Sequence, residues 1–282
     1  MSTNEPSVPA SDSAAASPPE VPNAAPNGVD VIRSERIGDH LLLIRIDRPH
    51  RRNAFDGATA RAMEAAIDAY EADDTLRCAI LAGSPEAFSS GQDLIAAAYG
   101  DMGVAPNRGG FGIMAKPPTK PIIAAVEGHA LAGGLELCLS CDLIVSSRTA
   151  TMGIPEAARS LVAVGGGLFR LPKRIPYHLA MELALTGKAW SAERMAELGL
   201  VNKLTEPGEA LDGAIELANE ILLAGPLAVK ASKQIVQKAY EWDDADGWKN
   251  QMEFAAPVMK SDDLKEGLAA FAEKRPPVWK GH

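Results

Sequence analysis

Two adjacent glycines set between apolar segments, Gly133 and Gly134, constrain this chain more than any other feature. They lack a Cβ atom, so another backbone segment or a bound atom can approach closely at this point. The apolar residues that follow predict a helix starting here, and the first N–H groups of a helix have no partner within it. Such a helix end attracts negative charge. The sequence therefore predicts an anion-binding turn at these glycines.

Two glutamates are placed to act beside such a turn. Glu136 lies one helical turn beyond the glycines, in the apolar run 130–138, and Glu156 ends the run MGIPE at residues 152–156. An unpaired charge is costly to bury in surroundings like those of Glu136, whereas a proline fixes the local turn before Glu156. Two carboxyl groups near backbone donors can move protons beside an enolate-like oxyanion. We therefore interpret Glu136 and Glu156 as candidate catalytic residues.

Alternating strand-like and helical patterns predict a mixed α/β fold. Strands are indicated over residues 41–46, 76–83, 122–128 and 142–147, and helical spacing occurs over residues 58–70 and after Gly133. Beyond about Asn202 the pattern changes to amphipathic helices at residues 209–223, 227–240 and 264–271, with no convincing strand between them. We therefore predict a core of strand, strand and helix units over residues 29–205 and a helical subdomain over residues 206–282.

Composition and charge exclude several classes of protein. A chain of 282 residues, 46% of them hydrophobic, can bury the core of a large domain. Its net charge of -9 argues against a nucleic-acid-binding protein, and no apolar run approaches the ~18 residues of a membrane-spanning helix. Residues 1–28 are rich in Pro, Ala and Ser and contain no Lys or Arg. We predict a disordered tail there, without signal-peptide or transit-peptide features, and a cytoplasmic location.

The three cysteines include a C-x-x-C pair, Cys138 and Cys141. A zinc site would need a second pair of ligands at matching spacing, and the sequence offers none. A redox motif is expected at the start of a thioredoxin-like helix, whereas this pair lies along an apolar helical segment. Free cysteine is among the most buried residue types. We therefore expect Cys78 and the pair to be structural, and we expect neither a metal nor a redox cofactor.

A set of further segments occurs in the order found in one enzyme family. They are residues 47–55, 87–94, 120–137, 153–156, 165–171 and 262–275. On these segments the chain, from about Val29 to its C-terminus, resembles the crotonase superfamily and most closely the enoyl-CoA hydratases. The resemblance implies a crotonase-like spiral of ββα units with a helical C-terminal subdomain. It also implies an acyl-CoA thioester substrate, no further cofactor, and a homotrimer or a hexamer built from two trimers.

The resemblance assigns roles to four residues of the site. The backbone N–H groups of Gln92 and Gly133 would form an oxyanion hole for the thioester carbonyl oxygen. Glu136 would orient and activate the attacking water, and Glu156 would supply the proton to Cα. The family usually has alanine at Gln92 and at Ser90, and we expect both departures to be tolerated because main-chain atoms form the hole.

Contacts to CoA are implied by the same resemblance on three segments. The candidate residues are Arg51, Arg52 and Ala54 in one loop, Ser90 and Asp93 around the oxyanion turn, and Phe271 and Lys274 reaching from a neighbouring subunit. Arginine and lysine can neutralise phosphates. The alternative for such surface side chains is simple solvation.

Departures from the family pattern concern the reaction subtype and the acyl chain. Ile154 stands where hydratases usually have glutamine, and Ala163 and Val164 stand in place of a usual Pro-Gly. We expect Val164 to narrow the acyl pocket or to shift the water, and we expect acyl-CoA binding to be kept.

The leading functional hypothesis is hydration of a trans-2-enoyl-CoA to a 3-hydroxyacyl-CoA. Water addition needs a base at the water and an acid at Cα, which two carboxyl groups supply if their pKa values differ. A Δ3,Δ2-enoyl-CoA isomerase is the second enzymatic hypothesis, because it needs only one base, at Glu156. A third hypothesis, of another class, is an acyl-CoA-binding protein without catalysis.

Overall fold

The computed structural model describes residues 31–282, so the tail predicted over residues 1–28 lies outside the described residues. In the described range the strands, in chain order, are β1 Ile32–Ile37, β2 Leu41–Ile46, β3 Cys78–Ala82, β4 Ala87–Ser89, β5 Val104–Ala105, β6 Gly109–Gly110, β7 Ile122–Val126, β8 His129–Leu131, β9 Leu143–Ser147, β10 Thr151–Gly153, β11 Ala189–Ser191 and β12 Lys203–Thr205.

The α-helices follow the same order. They are α1 Gly57–Ala72, α2 Leu94–Ala98, α3 Gly133–Cys138, α4 Gly167–Arg170, α5 Tyr177–Thr186, α6 Ala192–Glu197, α7 Ala210–Leu222, α8 Pro226–Lys238, α9 Asp244–Val258 and α10 Asp262–Glu273. Short 3-10 turns lie at Pro49–Arg51, Pro155–Arg159, Leu171–Lys173 and Ala239–Glu241. None of the helices in this part of the chain is long and apolar enough to cross a bilayer.

A six-stranded sheet forms the centre of the molecule, in the order β1, β2, β3, β7, β9, β12. All pairs in it are parallel except β1 with β2. Every residue of β3 and β7 is buried, as expected for parallel strands covered on both faces. This explains why their sequences are continuous apolar runs rather than alternating ones.

Helices α1 and α7 pack in two separate hydrophobic clusters, and each cluster also contains residues of this sheet. Asp56 begins α1 by accepting a hydrogen bond from the Thr59 N–H at 2.8 Å, and Met63 and Ile67 of the same helix are fully buried in the larger cluster. The small residues Ala214 and Ala218 of α7 pack in the other cluster, with residues of β2, β3 and β7. The sheet is therefore covered on both faces.

A second sheet, in the order β11, β10, β8, β4, positions the candidate site. Strands β4, β8 and β10 are parallel, so the chain leaves all three at the same edge. The segments that follow them are the turn containing Gln92, the start of α3 at Gly133, and the 3-10 turn containing Glu156. Residues far apart in the sequence are thus brought together at one edge.

The structure confirms most of the predicted elements and corrects others. Strand β2 coincides with the predicted residues 41–46, and α7, α8 and α10 correspond to the three predicted C-terminal helices. No strand lies between the predicted C-terminal helices in the described chain, as expected, whereas β12, which pairs in parallel with β9 at the end of the predicted core, was not predicted. Three residues are too few for a periodic signal. Helix α9 was not predicted, and the division of the chain at residue 205 stays a prediction.

The cysteines are free and buried, as expected. Cys138 is the last residue of α3, whereas Cys141 lies in the turn after it rather than in the helix. Burial raises the pKa of Cys78 and of Cys141 to about 12, so these thiols are poor nucleophiles at neutral pH.

Candidate active site

The turn containing Gln92 lies directly against the start of α3. The Phe55 N–H donates to the Gly91 carbonyl at 2.8 Å, and the Asp93 N–H donates to the Phe55 carbonyl at 2.9 Å. Gly91 has φ +92°, and a Cβ atom added to it would lie only 2.8 Å from the Gly133 nitrogen. Glycine is therefore required here twice, for its conformation and for this close approach. The structure thus brings the two predicted donor segments together.

The chain enters α3 through a strained residue, Ala132, with φ +55° and ψ -129°. Its carbonyl accepts from the N–H groups of Leu135 and Glu136. In the described part of the chain, the N–H groups of Gln92 and Gly133 donate to no backbone carbonyl outside their own elements. This is compatible with an oxyanion hole, and the binding of a thioester oxygen by these two N–H groups stays a prediction.

Glu136 is buried, with 4% of its surface exposed, and its carboxylate is held by backbone donors. The Gly167 N–H donates to its Oε1 atom at 2.9 Å. A Cβ atom on Gly165 would lie 2.5 Å from its Oε2 atom, so a larger residue at this position would have to displace the carboxylate. Burial raises the pKa of Glu136, while the backbone N–H groups of Gly167 and Gly165 and the charge of Arg170 lower it.

Glu156 lies in the 3-10 turn after β10, where Pro155 fixes the first position. Its pKa is raised from 4.5 to about 7, mainly by burial, and the negative charge of Glu136 contributes to this rise. Its Oε2 atom is buried and bonds to no other group in the described residues. A buried polar atom without a hydrogen-bond partner is rare unless a ligand or a water molecule bonds to it. Glu156 is therefore suited to giving up a proton near neutral pH.

A cavity of about 380 Å³ opens beside Glu156, between the segment after its 3-10 turn and helix α5. Its wall consists of Ile154, Glu156, Ala157, Leu161, Val162, Ala163, Leu168, Leu171, Pro172, Tyr177, Ala180, Met181, Ala184 and Leu185. Val164 does not belong to this wall and is 87% exposed. The structure therefore contradicts the prediction that Val164 narrows this cavity, whereas Ile154 and Ala163 do line it. The alternative, that Val164 shifts the attacking water, stays a prediction.

Arg170 connects three segments around Glu136. Its Nη1 atom donates to Ser140 Oγ at 3.0 Å and to the Gly165 carbonyl at 3.3 Å, and its Nη2 atom donates to the Met114 carbonyl at 2.6 Å. Ser140 Oγ in turn donates to the Glu136 carbonyl at 2.9 Å. Our sequence reasoning gave Arg170 no role, although it stands in the glycine-rich run 165–171 that carried part of the resemblance.

The side chain of Gln92 was also missed, because only its backbone was considered. Its Oε1 atom accepts from the Gly103 N–H at 2.8 Å, and its Nε2 atom donates to the Asp93 carbonyl at 3.1 Å. It thereby attaches the loop that leads to Phe111. The Phe111 ring stacks on Phe55 with centroids 4.3 Å apart.

Phe111 also covers Gly133. A Cβ atom on Gly133 would lie 2.6 Å from the Phe111 ring, so this glycine is needed for packing as well as for its N–H group. Phe111 itself is 6% exposed and has φ +50°. An apolar ring here keeps water away from the donor pair, which strengthens hydrogen bonds to a bound oxygen.

The predicted CoA-binding loop joins the oxyanion turn through its backbone. The Ser90 N–H donates to the Arg52 carbonyl at 3.0 Å. Arg52 is exposed, Arg51 is half-buried, and Ala54 is buried. The bond joins this loop to the oxyanion turn at Arg52, and the contacts of its residues with CoA stay a prediction.

Asp93 has structural partners that the sequence did not reveal. Its carboxylate caps α2 by accepting from the Ile95 and Ala96 N–H groups, and it lies 3.2 Å from Arg48. Arg48 is 1% exposed and also pairs with Asp56 at 2.8 Å. This buried cluster fixes the loops on either side of the oxyanion turn.

Phe271 and Lys274 lie at the C-terminal end of α10, away from the residues gathered around Glu136. Phe271 is 87% exposed, and Lys274 ends the helix in a left-handed conformation with φ +55°. Their proposed reach to the CoA of a neighbouring subunit stays a prediction.

Comparison with known proteins identifies the family. The model of the enoyl-CoA hydratase/isomerase family matches residues 36–282. The carnitinyl-CoA dehydratase of Salmonella arizonae is 39% identical over 250 residues, which cover 86% of this chain and 95% of that protein.

Solved structures agree with the family match. An enoyl-CoA hydratase from Mycobacterium tuberculosis H37Rv is 50% identical with a TM-score of 0.87, covering 90% of this chain and 100% of that one. A carnitinyl-CoA hydratase from Mycobacterium avium is 36% identical with a TM-score of 0.72, at the same coverage of 90% and 100%. The predicted fold is thereby confirmed, and the chain belongs to the enoyl-CoA hydratase/isomerase, or crotonase, family of enzymes.

Proposed function

We propose that this protein is an enoyl-CoA hydratase, which adds water across a trans-2-enoyl-CoA to give a 3-hydroxyacyl-CoA. The observation that carries the proposal is the pairing of Glu136 and Glu156 in unlike environments. Glu136 is held by backbone N–H donors, whereas Glu156 has a pKa near 7 and a buried oxygen without a partner in the described chain. One carboxyl group is thus suited to act as a base while the other acts as an acid.

The thioester carbonyl oxygen would accept hydrogen bonds from the Gln92 and Gly133 N–H groups. When water adds to Cβ, the electron pair of the double bond moves toward this oxygen, which becomes an enolate. Fixed backbone donors stabilise the developing charge without reorganising, and one such donor is typically worth ~10²–10³ in rate. The Phe111 ring over Gly133 keeps this region dry.

The two glutamates would then complete the addition. Glu136, as carboxylate, takes a proton from the water while the water oxygen bonds to Cβ. Glu156 gives its proton to Cα as the enolate collapses to the thioester. The proton held by Glu136 then returns to Glu156, directly or through solvent, which restores both groups for the next turnover.

The remaining predicted residues would bind the CoA moiety. Arg51 and Arg52 belong to the loop that bonds to the oxyanion turn, and arginine side chains can neutralise the phosphates of CoA. Phe271 and Lys274 would reach the CoA of a neighbouring subunit. We propose a homotrimer, or a hexamer of two trimers, as the working assembly.

The test is direct. Incubation with crotonyl-CoA should cause loss of the absorbance of the conjugated thioester, and the 3-hydroxyacyl-CoA should be detected as product. Conversion of only a 3-enoyl-CoA would instead identify an isomerase, which needs a single base. Measurable acyl-CoA binding with neither reaction would identify a binding protein and refute the proposal.

A second candidate is suggested by the relatives named carnitinyl-CoA dehydratase and carnitinyl-CoA hydratase. It is the same chemistry on a substrate whose acyl chain carries a quaternary ammonium group. Hydration of the corresponding unsaturated thioester would be the supporting result.

A further inference from the structure

The turn that carries the Gln92 N–H group is attached to Phe55 through the backbone. The Phe55 N–H donates to the Gly91 carbonyl at 2.8 Å, and the Phe55 carbonyl accepts from the Asp93 N–H at 2.9 Å. These two bonds lie on either side of Gln92, which forms a parallel bridge with Phe55. Phe55 is fully buried. Its position is therefore coupled to the position of the first proposed donor.

The Phe111 ring extends this contact to the second proposed donor, Gly133. It stacks on the Phe55 ring with centroids 4.3 Å apart and an angle of 6° between the ring planes. Its Cζ and Cε2 atoms would lie 2.6 Å and 2.7 Å from a Cβ atom added to Gly133, so the ring occupies the space of a side chain there. The two stacked rings therefore form a chain of contacts from the turn to Gly133.

Phe111 keeps this position in an unfavourable backbone conformation. Its φ of +50° lies in the left-handed region, where a bulky residue is an outlier. Strain of this kind persists only where surrounding contacts over-determine the conformation, and it is concentrated at functional sites. The place of the ring therefore depends on contacts from outside its own turn.

The side chain of Gln92 supplies such a contact through Gly103. The Gly103 N–H donates to Gln92 Oε1 at 2.8 Å, and the Phe111 N–H donates to the Gly103 carbonyl at 2.8 Å. The Gln92 Nε2 atom also reaches the Asp101 carbonyl at 3.4 Å. A Cβ atom on Gly103 would lie 3.0 Å from the Phe111 ring and 3.1 Å from Gln92 Oε1. The amide and the ring are thus packed tightly against the same glycine.

We propose that the side chain of Gln92 is a positioning group for the oxyanion hole, acting through Gly103 and the Phe111 ring on the Gly133 N–H group. The inference rests on the proposed function, because it takes Gln92 and Gly133 as the two donors. The backbone of Gln92 supplies one N–H group, while its amide holds the ring that packs on the other. A shift of this ring changes the separation of the donors, and hydrogen bonds weaken steeply when their geometry is lost.

Gln92→Met tests the amide, because methionine keeps nearly the length and volume of glutamine and lacks its amide group. We expect kcat for crotonyl-CoA to fall about tenfold with KM nearly unchanged, a smaller loss than the ~10²–10³ typical of a missing oxyanion donor. If this variant does not fold, Gly103→Ala takes its place, because its Cβ atom would press on the Phe111 ring.

The matched control is Asn202→Leu. The Asn202 Oδ1 atom accepts from the Ile144 N–H at 2.8 Å, so this variant also removes an amide acceptor from a backbone donor with little change in volume. Ile144 lies in β9 of the six-stranded sheet, outside the sheet that positions the site. The control should lower the melting temperature and leave kcat unchanged. An equal loss of kcat in both variants would show that Gln92 acts only through stability.

A double-mutant cycle tests the route through the ring. Phe111→Leu removes the stack and should itself lower kcat at least as much as Gln92→Met. If Gln92 acts through Phe111, adding Gln92→Met to Phe111→Leu should lower kcat by less than about twofold, because the two residues are coupled. Losses that multiply in the double mutant would overturn the proposed route.

The infrared frequency of a bound thioester carbonyl measures the donors without catalysis. The probe is butanoyl-CoA labelled with carbon-13 at its carbonyl group, whose stretching frequency falls when the oxygen accepts hydrogen bonds. We expect a downward shift on binding to the wild type and to Asn202→Leu, and a smaller shift in Gln92→Met. This result would support the inference even if no enoyl-CoA is hydrated and the proposed function fails. Equal shifts in Gln92→Met and the wild type, or a wild type that shows no shift or no binding, would overturn it.

Discussion

Glu136 and Gly167 are joined by a hydrogen bond of 2.9 Å from the glycine N–H group to the carboxylate Oε1 atom. This bond links a buried carboxylate on α3 to the first turn of α4, so the charge of Glu136 depends on how that turn is held. Arg170, in the same short helix, bonds to the Gly165 carbonyl on the other side of the carboxylate. The protonation of the proposed base is therefore set by backbone geometry as much as by burial.

Replacing either carboxyl group should remove most of the activity. Glu136→Gln and Glu156→Gln should each lower hydratase kcat by about two to four orders of magnitude, the usual range for general acid-base catalysis. Acyl-CoA affinity should change little, because neither group is proposed to bind CoA. Stopped-flow or steady-state rates with crotonyl-CoA measure the loss, and Glu182→Gln, on the exposed face of α5, is the control. Near-normal turnover in one mutant would remove that residue from the mechanism.

The pH dependence of hydration should reflect the ionisation of Glu156. Its pKa of about 7 means that its proton is lost as pH rises through neutrality. We expect kcat/KM for hydration to fall above about pH 7, approaching tenfold per pH unit, because the acid is then ionised. In Glu156→Gln this basic limb should disappear from the residual activity. A wild-type profile that is flat from pH 6 to pH 9 would contradict the assignment of Glu156 as the acid.

The free energy of unfolding should also depend on the protonation of Glu156, and it should decrease as the pH rises. The pKa of Glu156 is raised from 4.5 in the unfolded chain to about 7 in the folded one, so the folded state binds the proton more tightly. Its contribution to the free energy of unfolding is present below pH 4.5 and is lost as pH rises to about 7. Urea unfolding at pH 5 and pH 7.5 should therefore show a smaller decline in Glu156→Gln than in the wild type. An equal decline in both would locate the pH dependence elsewhere.

Arg170 should act as a positioning residue for Glu136. Loss of its charge and of its bond to the Gly165 carbonyl should raise the pKa of Glu136 further. Arg170→Gln should therefore lower kcat about tenfold and move the acidic limb of the pH profile to higher pH, with KM nearly unchanged. In Arg170→Lys, which keeps the positive charge, the acidic limb should move only part of the way to higher pH.

The matched control for this arginine is Arg108. Arg108 is buried, whereas Arg170 is half-buried, and the Nη1 atom of Arg108 donates to the Lys116 carbonyl at 2.8 Å, in the segment that Arg170 contacts at Met114. Arg108→Gln removes a comparable hydrogen bond to a backbone carbonyl, but it removes no bond to the segment around Glu136. It should lower the melting temperature but leave the acidic limb in place. An equal pH shift in both variants would show that Arg170 acts only through stability.

Much of the fold and of the site was predictable because it depends on local signals. The apolar runs of β2, β3 and β7 and the periodicity of α7 and α8 are strong patterns, and the segments carrying Gly133 and Glu156 have recognisable composition. What failed depended on three-dimensional neighbours. The exposure of Val164 follows from how its loop folds back, which no periodicity encodes.

The side-chain roles of Gln92 and Arg170 were invisible for the same reason. Each bonds to backbone atoms that are distant in sequence, at Gly103 for Gln92 and at Met114 for Arg170. Such contacts are specific to the folded chain and depend on loop geometry. The structure was needed to show that the Gln92 position contributes a side chain as well as an N–H group.

The close approach of Gly91 to Gly133 gives a test of the oxyanion hole that alters no functional side chain. In Gly91→Ala the new Cβ atom would lie 2.8 Å from the Gly133 nitrogen, so the two donor segments must separate. We expect kcat to fall by ~10²–10³, the loss typical of one misplaced oxyanion donor. The rate with crotonyl-CoA measures the effect, and circular dichroism checks the fold.

Gly100→Ala is the matched control for backbone strain. Gly100 has φ +82°, close to the +92° of Gly91, but a Cβ atom there would meet nothing within 4 Å. Both variants impose alanine on a left-handed conformation, which costs on the order of 1 kcal/mol, so both should lower the melting temperature, and Gly91→Ala should lower it further because its Cβ atom meets the Gly133 nitrogen. Only Gly91→Ala should lose activity, because only its Cβ atom reaches the donor pair. Equal activity in the two variants would show that the separation between the Gln92 and Gly133 segments does not govern the rate, and that the proposed oxyanion hole is misplaced.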